Sequence, residues 1–124
     1  MGKNYGLTNT ELEIMEYLWS LDKKISFREL CEYFQTVKGK NWKKQTLNTY
    51  LSNLKRSGIV GVDQTGTRYA YYPLCSKDQL IHSWTKNLVR ETFDNSLLNL
   101  FVAFTGGKTL SKEDAAEIRK MIDE

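Results

Sequence analysis

Apolar residues recur at helical spacing after two capping signals near the start of the chain. Thr8 followed by Glu11, and Ser26 followed by Glu29, are capping boxes, in which each residue satisfies a backbone donor of the other. The apolar positions behind them are spaced three and four residues apart: Leu12, Met15, Leu18 and Trp19, then Leu30 and Phe34. This pattern predicts one helix after Thr8 and a shorter one that closes near Thr36.

A third amphipathic segment runs from Trp42 to about Ser57. Leu47, Leu51 and Leu54 form its apolar stripe. The opposite face is polar, and its members are Lys43, Gln45, Thr46, Asn48, Thr49, Ser52, Asn53 and Arg56. Gly58 is the expected left-handed cap.

Two short runs rich in β-branched and aromatic residues follow the third helix. They are Ile59–Val62 and Arg68–Tyr72, with Thr65-Gly66 between them. Gly in a short connection between two such runs is typical of a tight turn, so we predict a β-hairpin.

The C-terminal part is predicted to be helical and to pair two chains. Capping signals at Ser76 and Ser111 start helices, and the segment Leu97–Phe104 between them is apolar on nearly every side. Such a helix must be covered on every side, and a lobe of about 50 residues is too small to do this alone. We therefore expect a two-fold homodimer, with burial against the N-terminal part as the alternative. The residues predicted at the dimer interface are Leu97, Leu98, Leu100, Phe101, Phe104, Ile118, Met121 and Ile122.

The predicted order is three helices, a hairpin and three more helices. The fold class is therefore mainly α with a small β-hairpin, a winged helix-turn-helix followed by a C-terminal helical dimerisation lobe. We place a DNA-binding domain at residues 1–74 and a dimerisation domain at residues 75–124.

The formal net charge of the chain is only +3, but one stretch of it is rich in basic residues. The stretch from Lys38 to Arg56 contains six basic residues and no acid. A local basic surface of this kind favours a polyanionic partner such as DNA, although many solvated helix faces are also basic.

The sequence contains no motif of a catalytic or metal-binding site. Cys31 and Cys75 lack metal-site spacing and are expected to be free thiols, and His82 is the only histidine. We find no nucleophile motif and no phosphate-binding glycine loop, so we expect neither an enzyme nor a cofactor. No signal peptide or membrane-spanning run is visible, which predicts a cytoplasmic protein without membrane insertion.

The polar face of the third helix has the chemistry of a DNA-reading surface. In winged helices this helix enters the major groove and the hairpin touches the flanking backbone. Gln45 and Asn48 can pair with adenine edges, while threonines offer methyl groups or phosphate contacts. The predicted phosphate contacts are Lys43, Lys44, Lys55, Arg56 and, on the wing, Arg68 with Thr65 and Thr67 as lesser candidates. We expect Trp19, Trp42, Tyr50 and Leu54 to pack in the core instead.

Two other interpretations of this face stay open. It could be solvated surface, but amide and β-branched residues are poor helix formers for that purpose. It could also serve a protein-interaction module without sequence-specific DNA binding, although an interface of that kind is usually richer in apolar anchors.

The sequence resembles the penicillinase-repressor family, which includes methicillin-resistance and copper-transport repressors (BlaI/MecI/CopY type). The likeness covers nearly the whole chain and is specific in combination. The matching stretches are Leu7-Thr8, Glu11–Trp19, Trp42 with Thr46–Leu51, Leu54–Gly58, Tyr69–Leu74, Asp94–Leu97, and the ending from Leu110 to Glu124.

This resemblance implies a dimeric repressor on a palindromic operator. The family's DNA-reading positions fall on Gln45, Thr46, Asn48 and Thr49; Gln45 replaces a basic residue, and Asn48 stands where arginine is frequent. β-Lactam-responsive members are cleaved at an Asn-Phe bond after a membrane sensor responds, which implies a sensor or protease partner. The matching bond here is Ala103-Phe104, without the asparagine. The chain also lacks the Cys-x-Cys motifs of copper-responsive members.

Overall fold

The structure is a computed structural model that describes the backbone of residues 4–123 and the side chains of residues 4–120. Within them the elements are α1 (Asn9–Ser20), β1 (Ile25–Ser26), α2 (Phe27–Thr36), α3 (Lys44–Arg56), β2 (Val60–Asp63), β3 (Ala70–Pro73), α4 (Lys77–Thr92), α5 (Leu97–Thr105) and α6 (Lys112–Asp123). The predicted fold class is confirmed: the chain is mainly helical, with the element order of a winged helix.

The capping boxes begin α1 and α2 as the sequence predicts. The Glu11 N–H donates to Thr8 Oγ1 at 3.1 Å, and the Thr8 N–H donates to Glu11 Oε1 at 3.0 Å. Ser26 and Glu29 form the same reciprocal pair at 3.2 and 3.3 Å. These contacts fix the first turns of both helices.

The third helix starts two residues later than predicted, at Lys44. Trp42 lies outside it because its ring packs into the core, with its centroid 5.1 Å from that of Phe34 and 5.5 Å from that of Tyr50. Lys43 has extended backbone and occupies the N-cap position.

Gly58 ends the helix as expected. It adopts a φ of +78°, a conformation that favours glycine. The Gly58 N–H donates to the Lys55 carbonyl and the Ile59 N–H to the Leu54 carbonyl, each at 3.0 Å. This pair of bonds is a Schellman motif, and it directs the chain from α3 into β2.

A small antiparallel sheet in the order β1-β3-β2 forms the wing. Val62 and Ile25 both pair with Tyr71, from opposite edges of β3. The predicted hairpin is confirmed, but residues 64–69 connect its strands as a longer loop than the expected tight turn. β1 was not predicted because two residues are too few to show an alternating pattern.

The core of the first unit is formed by the buried faces of α1, α2 and α3. Their fully buried side chains are Ile14, Met15, Leu18, Leu30, Phe34, Leu47, Leu51 and Leu54. Trp19, Trp42 and Tyr50 are half-buried against this core, so the predicted packing role of these residues and of Leu54 is confirmed.

The chain divides into two compact units, Met1–His82 and Ser83–Glu124. This division falls inside α4, whereas the sequence suggested a boundary after Leu74. The assignment of DNA binding to one part and dimerisation to the other stays a prediction.

In the second unit, α5 is capped at both ends but buries none of its residues in the single chain. Ser96 Oγ accepts from the Asn99 N–H at 3.1 Å, and Gly106 closes the helix with a φ of +66°. The strongly exposed side chains of α5 are Leu97, Leu98, Val102 and Phe104, whereas its Leu100 and Phe101 are half-buried. Ile118, in α6, is also half-buried. The side chains of Met121 and Ile122 lie outside the described part of the chain.

None of the helices within residues 4–123 combines the length and apolar character needed to cross a membrane.

Candidate nucleic-acid interface

The polar face of α3 is exposed over most of its length, because the three leucines on its other side hold it against the core. Among the predicted contacts, Thr46 and Asn53 are only half-exposed. The remaining predicted contacts on this segment are exposed, and they are Lys43, Lys44, Gln45, Asn48, Thr49, Ser52, Lys55 and Arg56.

The N-terminus of α3 differs from those of α1 and α2. Its N-cap residue, Lys43, makes no side-chain hydrogen bond, and its first turn contains no acidic residue. The first backbone N–H groups of any helix lack intrahelical acceptors. Uncapped donors at the positive end of a helix dipole are suited to a phosphate group.

A groove of about 660 Å³ joins α3 to the wing and to the start of α2. We call it the reading groove, and it is lined by Ser26, Phe27, Arg28, Lys44, Gln45, Asn48, Arg68, Tyr69 and Tyr71. It brings together four of the predicted contacts, Lys44, Gln45, Asn48 and Arg68. Arg28, Lys44 and Arg68 supply three cations, and no carboxylate belongs to the lining.

Arg28 and Tyr69 also belong to this surface, although neither was predicted from the sequence. Arg28 lies in the first turn of α2, where the capping box indicates only the start of a helix. Its proximity to Arg68 depends on the pairing of β1 with β3, which brings the start of α2 beside the wing. No local pattern in the sequence carries that information.

A smaller groove of about 170 Å³ is also lined by Tyr69 and includes Ser52, Lys55 and Gln64. Asn48, Tyr69 and Tyr71 line both grooves. Lys43, Thr46, Thr49, Asn53 and Arg56 line neither groove.

The Thr49 hydroxyl is already engaged within the helix. It donates to the Gln45 carbonyl oxygen at 2.9 Å. A phosphate accepts hydrogen bonds and cannot donate, so a hydroxyl engaged in this way offers it nothing. The Thr49 contribution left available is its methyl group, the group that contacts a thymine methyl.

An ion pair holds the end of β2. Lys24 Nζ lies 2.8 Å from Asp63 Oδ2 and 4.9 Å from the centroid of the Tyr72 ring. Asp63 Oδ1 also accepts from the N–H and the hydroxyl of Thr65. The hydrogen bond from Lys24, followed by those from Thr65, holds the pKa of Asp63 well below its usual range. These contacts fix the start of the loop that carries Arg68.

The cysteines are free thiols, as expected. Burial raises the pKa of both Cys31 and Cys75, which favours the unreactive thiol form. Among the described residues, no group of histidine, cysteine and acidic side chains is arranged to hold a metal ion.

Acidic residues of α1 have structural partners. Glu13 lies 3.2 Å from Lys40, and Glu16 lies 2.8 Å from Lys77.

Solved structures of two repressors are similar to this chain in fold. The DNA-binding domain of the repressor BlaI superposes with a TM-score of 0.51 at 25% identity, covering 62% of this chain and 90% of that domain. A mutant of MepR from a multidrug-resistant S. aureus clinical isolate superposes with a TM-score of 0.52 at 16% identity. That match covers 98% of this chain and 78% of MepR, and it shows a shared fold.

The sequence comparisons extend over nearly the same span. An uncharacterized 16.5 kDa protein of Latilactobacillus sakei is 22% identical over 116 residues, which are 94% of this chain and 77% of that protein. The penicillinase repressor family model matches residues 7–124. The chain therefore belongs to the penicillinase repressor family of DNA-binding transcriptional repressors.

Proposed function

We propose that the protein represses transcription as a homodimer bound to a palindromic operator in double-stranded DNA. The observation that carries this proposal is the reading groove, which joins amide side chains of α3 to cations from three elements. An uncharged amide reads a base edge, and a cation neutralises a phosphate, so the groove combines both parts of DNA recognition. We infer that it acts in the cytoplasm, where the operator is found.

In this proposal Gln45 and Asn48 make the base contacts from the major groove. Both are exposed, and they lie three residues apart on one face of α3. The uncapped start of α3 receives one phosphate, while Arg68 on the wing contacts the flanking backbone. Arg28 adds a further backbone contact that the sequence did not predict.

The second chain is proposed to cover the apolar face of α5. Leu98 and Phe104 are 71% and 68% exposed in the single chain, and Leu97 is 63% exposed. Exposed apolar side chains adjoining one another on one short helix are typical of a protein interface. To read two half-sites of one operator, the two α3 helices of such a dimer need to lie about 34 Å apart, or somewhat more.

The experiment that tests this proposal is a titration of the protein into duplex DNA from just upstream of its own gene. A scrambled duplex serves as competitor, and the titration is repeated at several salt concentrations. The proposal predicts binding that resists the competitor, with two chains per duplex. Equal, salt-sensitive binding to both duplexes would contradict sequence-specific repression.

A further inference from the structure

The reading groove has a second property besides its fit to DNA, since aromatic rings and cations line the same concave surface. We propose that it binds a small planar aromatic carboxylate, and that this ligand releases the repressor by occupying the surface that DNA needs. The competition rests on the proposed function, whereas binding of the ligand to the free protein does not.

The aromatic part of the groove comes from α2 and the wing. Phe27 is half-buried, and its ring centroid lies 6.5 Å from that of Tyr71, which is itself buried. Tyr69 is 54% exposed and adjoins them. Small-molecule sites are typically apolar and aromatic surfaces with a few polar groups that fix the orientation of the ligand.

The charge of the lining selects an anion. Arg28, Lys44 and Arg68 come from α2, α3 and the wing, and the groove lining contains no carboxylate. Lys44 and Arg68 form no ion pair with any described residue, while Arg28 lies 3.4 Å from Glu32 on its own helix. An arginine guanidinium can bind a carboxylate through two parallel hydrogen bonds, which gives a carboxylate ligand an advantage over a neutral one.

The carboxylate that adjoins this lining is already engaged. Glu29 accepts hydrogen bonds from the Ser26 N–H and hydroxyl, and these bonds lower its pKa. Glu29 caps α2, and Lys23 Nζ, 3.9 Å from Glu29 Oε2, offsets part of its charge. That charge also acts on Arg68, so Arg68 is partly neutralised by Glu29, while Lys44 stays available for an incoming anion.

The size of the groove and its α3 residues explain why ligand and DNA would compete. A volume of about 660 Å³ lies within the range of roughly 300–1,000 Å³ that is usual for ligand sites. Gln45 and Asn48 line the same groove, so a ligand seated there stands between them and a base edge. Each ligand molecule bound to the free protein therefore removes one DNA-competent surface.

The probe for this site is 2-naphthoate, with 2-naphthamide as its neutral match. Both are titrated by calorimetry into the free full-length protein at fixed ionic strength. We expect saturable binding of the carboxylate and binding about tenfold weaker, or weaker still, for the amide. The double variant Arg28→Gln, Arg68→Gln should lose at least about tenfold in naphthoate affinity. Lys86→Gln, which removes an exposed cation of α4, should bind as the parent protein does.

A second measurement follows release of the operator duplex as naphthoate is added, with sodium sulfate at equal ionic strength as the control. The proposal predicts release by naphthoate well beyond that caused by sulfate or naphthamide. Equal affinity for naphthoate and its amide, unchanged binding in the double variant, or release that sulfate reproduces would each overturn the ligand site. Those results leave DNA binding intact, whereas absence of sequence-specific DNA binding without any ligand would overturn the proposed function and the competition together.

Discussion

Lys24 Nζ and Asp63 Oδ2 lie 2.8 Å apart, and this ion pair joins the segment before β1 to the last residue of β2. Replacing Asp63 by asparagine should loosen the loop after β2 and shift Arg68 from its place in the reading groove. We predict weaker binding of Asp63→Asn to all DNA sequences, with base preference unchanged. Competition titrations with operator and scrambled duplex would check this. Asp22→Asn is the matched control, because it removes the charge of an exposed acid in the segment before β1.

The same ion pair predicts a pH dependence of stability. The pKa of Asp63 is lower in the folded protein than its ordinary value of 3.8. A carboxylate whose pKa is lower in the folded than in the unfolded state stabilises the fold at every pH above its unfolded-state pKa. That stabilisation is lost as the pH falls from the unfolded-state pKa through the folded-state pKa. Urea unfolding should therefore show parent and Asp63→Asn proteins differing at neutral pH and converging below pH 3.8. A difference that stays constant into acid would show that the carboxylate charge is not involved.

Gly61 is required by the Tyr72 ring beside it. A Cβ atom added at Gly61 would lie 2.6 Å from Tyr72 Cζ and 2.9 Å from Leu74 Cδ2. Gly61→Ala should therefore displace Tyr72 and destabilise the fold by about 1–2 kcal/mol, as overpacking does elsewhere. Denaturant unfolding measures this cost. In a Tyr72→Ala background only the Leu74 contact remains, so the cost should be smaller, and an undiminished cost there would refute the Tyr72 explanation.

A charge in the exposed face of α5 should separate the proposed dimer. Phe104→Asp places a carboxylate where the partner's apolar surface would lie, and sedimentation should then show monomers. Val37→Asp is the matched control, because Val37 is 66% exposed and directly follows α2 in the first unit. If Phe104→Asp were to sediment like the parent protein, the proposed interface would be wrong.

Base-reading and phosphate-binding residues should respond differently to mutation. Asn48→Ala is expected to relax the preference for one base pair, at a cost of about 1–3 kcal/mol on the operator alone. Arg68→Ala should weaken binding to every sequence and reduce its salt dependence. Affinities measured at several salt concentrations on operator and scrambled duplexes separate the two effects. Identical behaviour of the two variants would contradict this division of roles.

Features encoded within a few residues were predicted from the sequence. The capping boxes at Thr8 and Ser26, the leucine stripe of α3 and the glycine at its end act through neighbours on the same element. Their geometry therefore follows from spacing and residue type. The hairpin and the apolar α5 segment were predicted for the same reason.

Features that depend on tertiary contacts were not predicted. Trp42 was assigned to α3, but its packing against Phe34 and Tyr50 draws it out of the helix. Arg28 was not recognised as part of the site, because it lies beside the wing only when β1 pairs with β3, and β1 was not predicted. The sequence thus identified Lys44, Gln45, Asn48 and Arg68 of the reading groove, while the wing tyrosines and the α2 side required the fold.

We propose that the α3 face, the wing and the start of α2 together form the DNA interface. The most direct test is residue-by-residue mapping of backbone amide shifts by NMR as upstream duplex DNA is added to labelled protein. We predict the largest shifts at Lys44, Gln45, Asn48, Arg68 and Arg28. Shifts confined to the outer face of α1 or to residues 83–123, with α3 unchanged, would contradict the account.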